Sequence, residues 1–320
     1  MKYIYTTYFN ITYLPKALVL IESLQRVDPK AKIVCLCIDK ICEGVLRRLK
    51  IKGVILLPIS KLEKKYPDLS KAKSNRPPVE YFWTQTPFLC RYILEVYQLD
   101  AIYVDADLKY FYTGKHVTAE IGSKSVAICP HWYPAYHDKS NNSGRFNVGW
   151  NYFKNDRASR KVLMNWSKDC LNSTAVNSQT CGDQKYLSKW PSVFDSVHIM
   201  TNQGLDCAPW NFYAFQISQA DNKYYVNGEQ LILFHFHGLN QYKKGFFWPN
   251  ISYPITYHQL VLYLGYIMDL RRNTKLITNI YPQFENHLPQ FRLLHEFTPF
   301  MISLLVIMKR FLSPAKYAIT

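Results

Sequence analysis

Short apolar runs alternate with amphipathic segments along the first third of the chain. The runs at 2–9, 33–38, 54–57 and 101–104 have the length of buried strands. Segments 15–24 and 41–49 have helical periodicity and fall between the first three runs. Strands that alternate with helices predict an α/β fold with a mostly parallel, doubly wound central sheet flanked by helices.

The middle of the chain continues this pattern less regularly. We predict strands at 125–129 and 144–153, the second interrupted by Gly149, a helix at 158–170, and a helix that opens at Gly182 with Asp183 at its N-terminal end. A strand at 231–237 would place His235 and His237 on one face. The turn-rich stretch 138–144 predicts a mobile loop.

Three other segments lack a clear strand or helix pattern or carry proline. Residues 10–13 are predicted as a loop, and the basic, proline-bearing residues 61–78 as a flexible loop, either a lid over substrate or a plain connection. Residues 81–99 are predicted as a helix with Thr84 as its N-cap and Pro87 in its first turn. We divide the chain into a main domain at 1–254 and a helical C-terminal region at 255–320.

Two carboxylates follow the fourth predicted strand directly. Asp105 and Asp107 are two positions apart, so in extended backbone they point to the same side. Like charges held together need compensation, and a divalent cation such as Mg²⁺ or Mn²⁺ accepts oxygen ligands. Two solvated carboxylates at a strand end are the simpler alternative.

Charge and cysteine content narrow the class of partner and the compartment. The formal net charge of +16 favours anionic partners, either phosphorylated substrates or an anionic membrane surface, and no motif supports nucleic-acid binding. The N-terminus lacks the apolar region of a signal peptide, so we expect a cytoplasmic protein with reduced thiols. A Cys170–Cys181 bridge would need an oxidising compartment.

Four short motifs together carry a family resemblance. They are Asp105-Ala-Asp107, Phe146-Asn-Val-Gly149, Gly182-Asp-Gln184 and His235-Phe-His-Gly238. In this order they resemble the GT-A glycosyltransferases, closest to the family 8 type and its bacterial lipopolysaccharide and capsule-sugar relatives, over about residues 2–250. The resemblance implies a GT-A (Rossmann-like) domain at 1–254 with a helical C-terminal appendage.

The resemblance also implies roles for individual residues. Asp105, Asp107 and His235 would hold Mn²⁺ or Mg²⁺, with His237 as an alternative ligand. Asp183 and Gln184 would act at the reacting sugar, although a helix cap is a plain role for Asp183. The implied donor-binding residues are Thr6, Tyr8 and Asp39 for base and ribose, Asn147 and Gly149 for the sugar, and Asp105, Gly238 and Lys244 for the diphosphate.

The resemblance implies metal-dependent transfer of a sugar, UDP-linked by expectation, to a glycan or glycolipid acceptor in bacterial surface polysaccharide synthesis. Residues 299–312 combine an apolar run with flanking bases, which predicts either an interfacial helix on an anionic inner membrane or a helix packed on the core. Two alternatives stay open: a metal-dependent phosphohydrolase with Asp105 as nucleophile, which Lys109 disfavours, and a non-catalytic nucleotide-sugar-binding protein.

Overall fold

The computed structural model of the protein describes residues 3–291, without the side chains of residues 115–117. The strands in chain order are β1 (Tyr3–Phe9), β2 (Ile33–Cys37), β3 (Val54–Pro58), β4 (Asp100–Val104), β5 (Leu108–Tyr110), β6 (Val126–Pro130), β7 (Phe146–Phe153), β8 (Val197–Ile199), β9 (Ile217–Ala220), β10 (Lys223–Val226), β11 (Glu229–Gln230), β12 (Leu233–His235), β13 (Asn240–Tyr242) and β14 (Phe246–Trp248). The α-helices are α1 (Leu14–Val27), α2 (Lys40–Leu49), α3 (Ile59–Lys65), α4 (Asp68–Ser74), α5 (Pro78–Tyr92), α6 (Lys115–Glu120), α7 (Ser140–Ser143), α8 (Arg157–Asn172), α9 (Trp190–Val193) and α10 (Tyr257–Ile280).

The central sheet has the strand order β3-β2-β1-β4-β7-β6-β8. The strands from β3 to β4 pair in parallel, whereas β7 runs antiparallel to both β4 and β6. Because β7 is antiparallel, its first residues lie beside the carboxyl end of β4, where the Asp105 amide donates to the Gly149 carbonyl at 3.0 Å. The topology thus brings the second motif next to the first.

Alternate residues of the buried strands face two separate core clusters. In β2, Ile33 and Cys35 pack in the cluster that includes apolar residues of α1, and Val34 and Leu36 pack in the cluster that includes residues of α5 and α8. A sheet whose strands are apolar on both faces needs helices on both faces. The structure therefore confirms the predicted mostly parallel sheet flanked by helices.

A smaller two-stranded sheet stands beside the central one. β12 pairs antiparallel with β5, and His235 lies opposite Leu108. The predicted strand at 231–237 is therefore shorter than expected and does not join the central sheet. A largely apolar run does not distinguish a strand from a buried loop, so the sequence overestimated the length. Residues 231–236 are all buried, but only Leu233–His235 form a strand.

Helix α10 packs against helix α1. The Thr256 hydroxyl caps its first turn by accepting from the Gln259 amide at 3.3 Å. Its residue Tyr266 stacks on Phe236 with ring centroids 3.7 Å apart, and Ile277 joins the core cluster of α1. The predicted helix at 299–312 lies outside the described residues.

The predicted loop at 61–78 is wrong. Helices α3 and α4 occupy most of it, and Leu62, Leu69 and Ala72 are buried in one core cluster. These apolar residues recur at helical spacing, but the lysines around them and Pro67 between the two helices obscured the pattern. The segment is anchored to the domain by its own side chains.

The predicted start of the next helix is also wrong. Helix α5 begins at Pro78, so Thr84 lies inside it and donates to the Glu80 carbonyl at 2.7 Å instead of capping. Pro87 is likewise internal to the helix. Arg76 precedes α5 and donates to the Cys170 and Leu171 carbonyls at 2.8 and 2.7 Å, close to the C-terminal end of α8.

Smaller differences concern the loops. Residues Ile11–Tyr13 form a 3₁₀ turn capped by Asn10, and the predicted mobile stretch at 138–144 contains α7. Strand β7 runs through Gly149, but its pairing with β6 is interrupted there. Ile128 pairs with Asn151 and the next residue, Cys129, pairs with Asn147, so residues 148–150 of β7 have no register partner in β6. All eight cysteines are free thiols, including Cys170 and Cys181. Within residues 3–291, none of the helices combines the length and apolar character needed to cross a bilayer.

Candidate active site

A cavity of about 560 Å³ opens at the carboxyl ends of β1 and β4. Its polar wall includes Asp105, Asp107, Asn147, Asp183, Gln184, His235 and His237. Its aromatic wall includes Tyr8, Tyr13, Phe82, Trp83, Tyr103, His131, Tyr133, Trp210 and Tyr253. Ligands of open α/β sheets bind at this edge, and a few polar groups in an aromatic wall are typical of a ligand cavity.

Two aspartates and a histidine converge in this cavity. His235 Nε2 lies 3.0 Å from Asp107 Oδ1 and 3.8 Å from Asp105 Oδ2. One ligand atom from each of the three residues lies within 4.8 Å of the others, so the group could hold a metal ion. The pairing of β12 with β5 produces this convergence, because it sets His235 beside the turn that carries both aspartates. Two carboxylates and an imidazole form a donor set that suits a divalent ion such as Mn²⁺.

The protonation of these groups is strongly coupled. Burial, together with Asp107, raises the pKa of Asp105 to about 6. Burial would also raise the pKa of Asp107, but His235 and Lys16 hold it well below its usual range. The His235 pKa is raised well above its usual value, against the effect of burial, by Asp107 and Asp206. The site therefore balances its two carboxylates with buried positive charge.

Lys16 supplies part of that balance from helix α1. Its ammonium lies 3.8 Å from Asp107 Oδ2, and its side chain is only 7% exposed. The ammonium also lies 4.4 Å from the centroid of the Tyr13 ring. Helix α1 thus places the buried ammonium of Lys16 beside the two aspartates.

Asn147 and Gly149 lie behind His235. Asn147 Oδ1 accepts from the Gly149 amide at 2.8 Å, and its Nδ2 lies 3.5 Å from His235 Nδ1. A Cβ at position 149 would lie 2.9 Å from both Asp206 Oδ1 and His235 Nδ1. The close neighbours of Gly149 are therefore these two side chains, and the cavity wall includes Asn147 but not Gly149.

Asp183 and Gln184 line the opposite side of the cavity. They follow Gly182, whose φ is +56° and where a Cβ would lie 3.2 Å from the Trp83 ring, so a larger residue would be strained there. The 3₁₀ helix Lys185–Lys189 begins after Gln184, so Asp183 lies in the preceding turn and not in the predicted helix start. Burial, with Asp105 adding to it, raises the pKa of Asp183 to about 7.

The structure brings some of the predicted donor-binding residues to the cavity and not others. Tyr8 and His237 line it, and the ring centroid of His237 lies 5.6 Å from that of His235, outside the three-residue group. Besides Gly149, three others lie away from the cavity wall: Thr6 donates to the Val34 carbonyl inside the sheet, Asp39 caps α2 and accepts from the Ile11 amide, and Lys244 is exposed on a turn.

Gly238 is also away from the cavity wall. Its φ is +74°, and a Cβ there would lie 2.7 Å from the Asn250 side chain. The glycine therefore serves the turn after β12, where the chain must pass close to Asn250.

Several residues at the site were not predicted from the sequence. Lys16 contacts Asp107 and Asp206 contacts His235. The cavity lining also includes Trp83, His131 and Tyr253. Lys16 is indistinguishable by pattern from a solvated helical lysine. Asp206 lies outside all four motifs that carry the resemblance.

Comparisons with known proteins place the chain among bacterial relatives and give its fold. It is 28% identical over 293 residues to the uncharacterized protein YfnD of Bacillus subtilis, covering 88% of this chain and 92% of YfnD. It is 30% identical over 247 residues to the uncharacterized protein YfnF of the same organism, covering 73% of this chain and 80% of YfnF. No family model matches the chain.

Solved structures of the galactosyltransferase LgtC share the fold. LgtC in complex with donor and acceptor sugar analogues matches with a TM-score of 0.52 at 13% identity, covering 86% of this chain and 95% of LgtC. An active-site mutant of LgtC with Gln changed to Glu matches with a TM-score of 0.51 at 11% identity, with the same coverage. This likeness confirms the predicted GT-A fold.

Proposed function

Because the chain belongs to the family of the Bacillus subtilis protein YfnF and has the GT-A fold, we propose that it is a metal-dependent glycosyltransferase. It transfers a sugar from a nucleotide-diphosphate donor, UDP-linked by preference, to a glycan or glycolipid acceptor. The observation that carries the proposal is the convergence of Asp105, Asp107 and His235 at the carboxyl edge of the sheet, inside the cavity.

Asp105, Asp107 and His235 are the proposed holders of Mn²⁺ or Mg²⁺. A divalent ion bound there would neutralise the negative charge that develops on the leaving diphosphate. Tyr103 fixes the first ligand, because its hydroxyl donates to Asp105 Oδ1 at 2.7 Å. Phe236 and Asp107 are joined by a backbone hydrogen bond of 2.9 Å, which ties the strand of His235 to the second aspartate.

Asp183, Gln184 and Asn147 are the proposed residues around the donor sugar. They line the cavity together with the metal-binding group, and the carboxylate and amides offer partners for sugar hydroxyls. LgtC, which shares the fold, has an active-site glutamine, and Gln184 is the cavity glutamine that we propose for a comparable role. Tyr8 is the remaining candidate for the nucleoside, because Thr6 and Asp39 already use their side chains within the fold.

The acceptor in this proposal is a surface glycan or glycolipid at the cytoplasmic face of a bacterial membrane. Helix α10 supports it with an exposed apolar stripe along one side that includes Tyr257, Leu260, Leu264 and Met268. Exposed bases follow on the same helix, among them Arg271 and Lys275. An apolar stripe beside bases suits the surface of an anionic bilayer.

A panel of nucleotide sugars tests the function directly. We expect one donor, in the presence of Mn²⁺, to raise the thermal midpoint and to be hydrolysed slowly to the nucleoside diphosphate, and chelation to abolish both effects. Release of inorganic phosphate from simple phosphomonoesters, with a trapped phosphoryl group on Asp105, would instead identify a phosphohydrolase. A folded protein that responds to no donor with either metal would contradict the proposal.

A further inference from the structure

Asp206 is a buried carboxylate without a hydrogen bond. Its side chain has no exposed surface, and neither carboxylate oxygen has a hydrogen-bond partner among the described residues. Its nearest charged neighbour is His235, with 3.6 Å between Asp206 Oδ1 and His235 Nδ1. Burying an unpartnered carboxylate is costly, so its retention calls for a reason beyond packing.

The backbone holds Asp206 and His235 next to each other. Cys207 forms an isolated parallel β-bridge with Phe234, and the His235 backbone amide donates to the Cys207 carbonyl at 2.7 Å. Asp206 adopts the left-handed conformation with φ of +61°, which the Cys207–His235 hydrogen bond and the adjacent bridge help to fix. On the other side, Gly149 leaves open the space that a Cβ would take from both side chains.

The surroundings of His235 Nδ1 leave one acceptor for its proton. Asn147 also faces this atom, but its Oδ1 is held by the Gly149 amide, so its Nδ2 points at the ring. An amide NH₂ group donates and cannot take the proton of Nδ1. Of these two close neighbours, only the Asp206 carboxylate can accept it.

We propose that Asp206 is a positioning residue that holds the proton of His235 on Nδ1 and so directs the Nε2 lone pair at Asp105 and Asp107. The inference rests on the proposed function, since it gives Nε2 a metal ion to bind. A metal-binding imidazole needs its free lone pair on the metal side, and a carboxylate on the other nitrogen fixes both the tautomer and the ring orientation. Asp206 itself does not touch the metal or the substrate.

The test compares Mn²⁺ affinity in three variants without any donor present. Asp206→Ala should weaken Mn²⁺ binding by about 10- to 100-fold, the usual effect of losing such a partner. Asp206→Asn keeps an acceptor oxygen and should recover part of the loss. Asp100→Asn is the matched control: Asp100 is also buried, but it accepts from the Tyr152 hydroxyl and the Asn155 amide, so its loss should lower the thermal midpoint and leave Mn²⁺ affinity unchanged.

The outcomes separate this inference from the proposed function. If the wild-type protein fails to bind Mn²⁺ or Mg²⁺, the proposed metal site is wrong and the role of Asp206 falls with it. If the wild type binds Mn²⁺ and both Asp206 variants bind it equally well, the metal site stands and the positioning role is overturned. A loss of affinity in Asp206→Ala that exceeds the loss in Asp206→Asn, at an unchanged metal-free thermal midpoint, supports the inference.

Discussion

Gly149 is the residue at which a single methyl group would disturb the site most directly. In Gly149→Ala the new Cβ would lie 2.9 Å from both Asp206 and His235, and the buried surroundings leave these side chains little room to move. We expect a loss of about 1–3 kcal/mol in the free energy of unfolding, typical of overpacking. We also expect Mn²⁺ affinity to fall by about tenfold, as for a lost partner of a ligand.

The matched control for this substitution is Gly44→Ala in helix α2. A Cβ at position 44 meets nothing within 4 Å, so this change should stabilise the helix by about 0.5–1 kcal/mol. Urea unfolding of both variants, with Mn²⁺ titration of the folded proteins, makes the comparison. If Gly149→Ala matches Gly44→Ala in both unfolding free energy and Mn²⁺ affinity, the close packing of position 149 against Asp206 and His235 is wrong.

Asp183 makes the stability of the protein depend on pH. Its folded-state pKa of about 7 lies above the usual value, so between that value and pH 7 the folded protein keeps a proton that the unfolded chain has released. This contribution to stability is present at low pH and is lost as the pH rises toward 7. We expect Asp183→Asn to gain stability relative to wild type across this window, by up to about 1.4 kcal/mol per unit of pKa shift. Urea unfolding in chelator at several pH values measures the difference, and parallel pH curves for the two proteins would contradict it.

At the scale of elements, the segment of α3 and α4 is a stable part of the fold. Leu69 is fully buried in the cluster that also contains Leu62 and Tyr66. We expect Leu69→Ala to cost about 2–5 kcal/mol of unfolding free energy, the range for a truncated core leucine. Substitution of the exposed neighbour Lys71 by Ala is the control and should cost little. A negligible cost for Leu69→Ala would restore the interpretation of this segment as a loose loop.

The elements that the sequence predicted well are those with local signals. The strands ending at Phe9, Cys37 and Val104 and helices α1 and α8 follow directly from apolar periodicity. The pairing of β12 with β5 has no local signal, because it joins residues more than a hundred positions apart. Asp105, Asp107 and His235 were predicted because they lie in short motifs. The contacts of Asp206, Gly149 and Lys16 depend on the long-range fold and have no such signal.

In the whole molecule, the proposed membrane surface combines positive charge with the exposed stripe on α10. The chain carries a formal net charge of +16, and Leu264 and Met268 are exposed by 55% and 70%. We expect the protein to co-sediment with vesicles that contain anionic lipid, and the binding to weaken at high salt because the charges are screened. The double variant Leu264→Ser/Met268→Ser should bind at least severalfold less, since it removes apolar contacts and keeps the charge.

The control for vesicle binding is Val176→Ser, which removes an apolar side chain that is 67% exposed outside helix α10. It should leave the binding unchanged. If the wild type and the α10 double variant bind vesicles equally, helix α10 does not contribute to vesicle binding.

Metal-dependent donor binding is the most direct test of the proposed function, because Asp105 and Asp107 of the turn after β4 meet His235 of β12 only in the folded chain. The measurement is calorimetric titration of UDP into the wild type and Asp107→Asn, each with and without Mn²⁺. We expect UDP binding by the wild type to depend on Mn²⁺ and to weaken by at least about tenfold in Asp107→Asn, because the variant replaces one charged ligand of the ion. UDP binding that is equally strong in both proteins and independent of Mn²⁺ would contradict the proposed metal-dependent donor site.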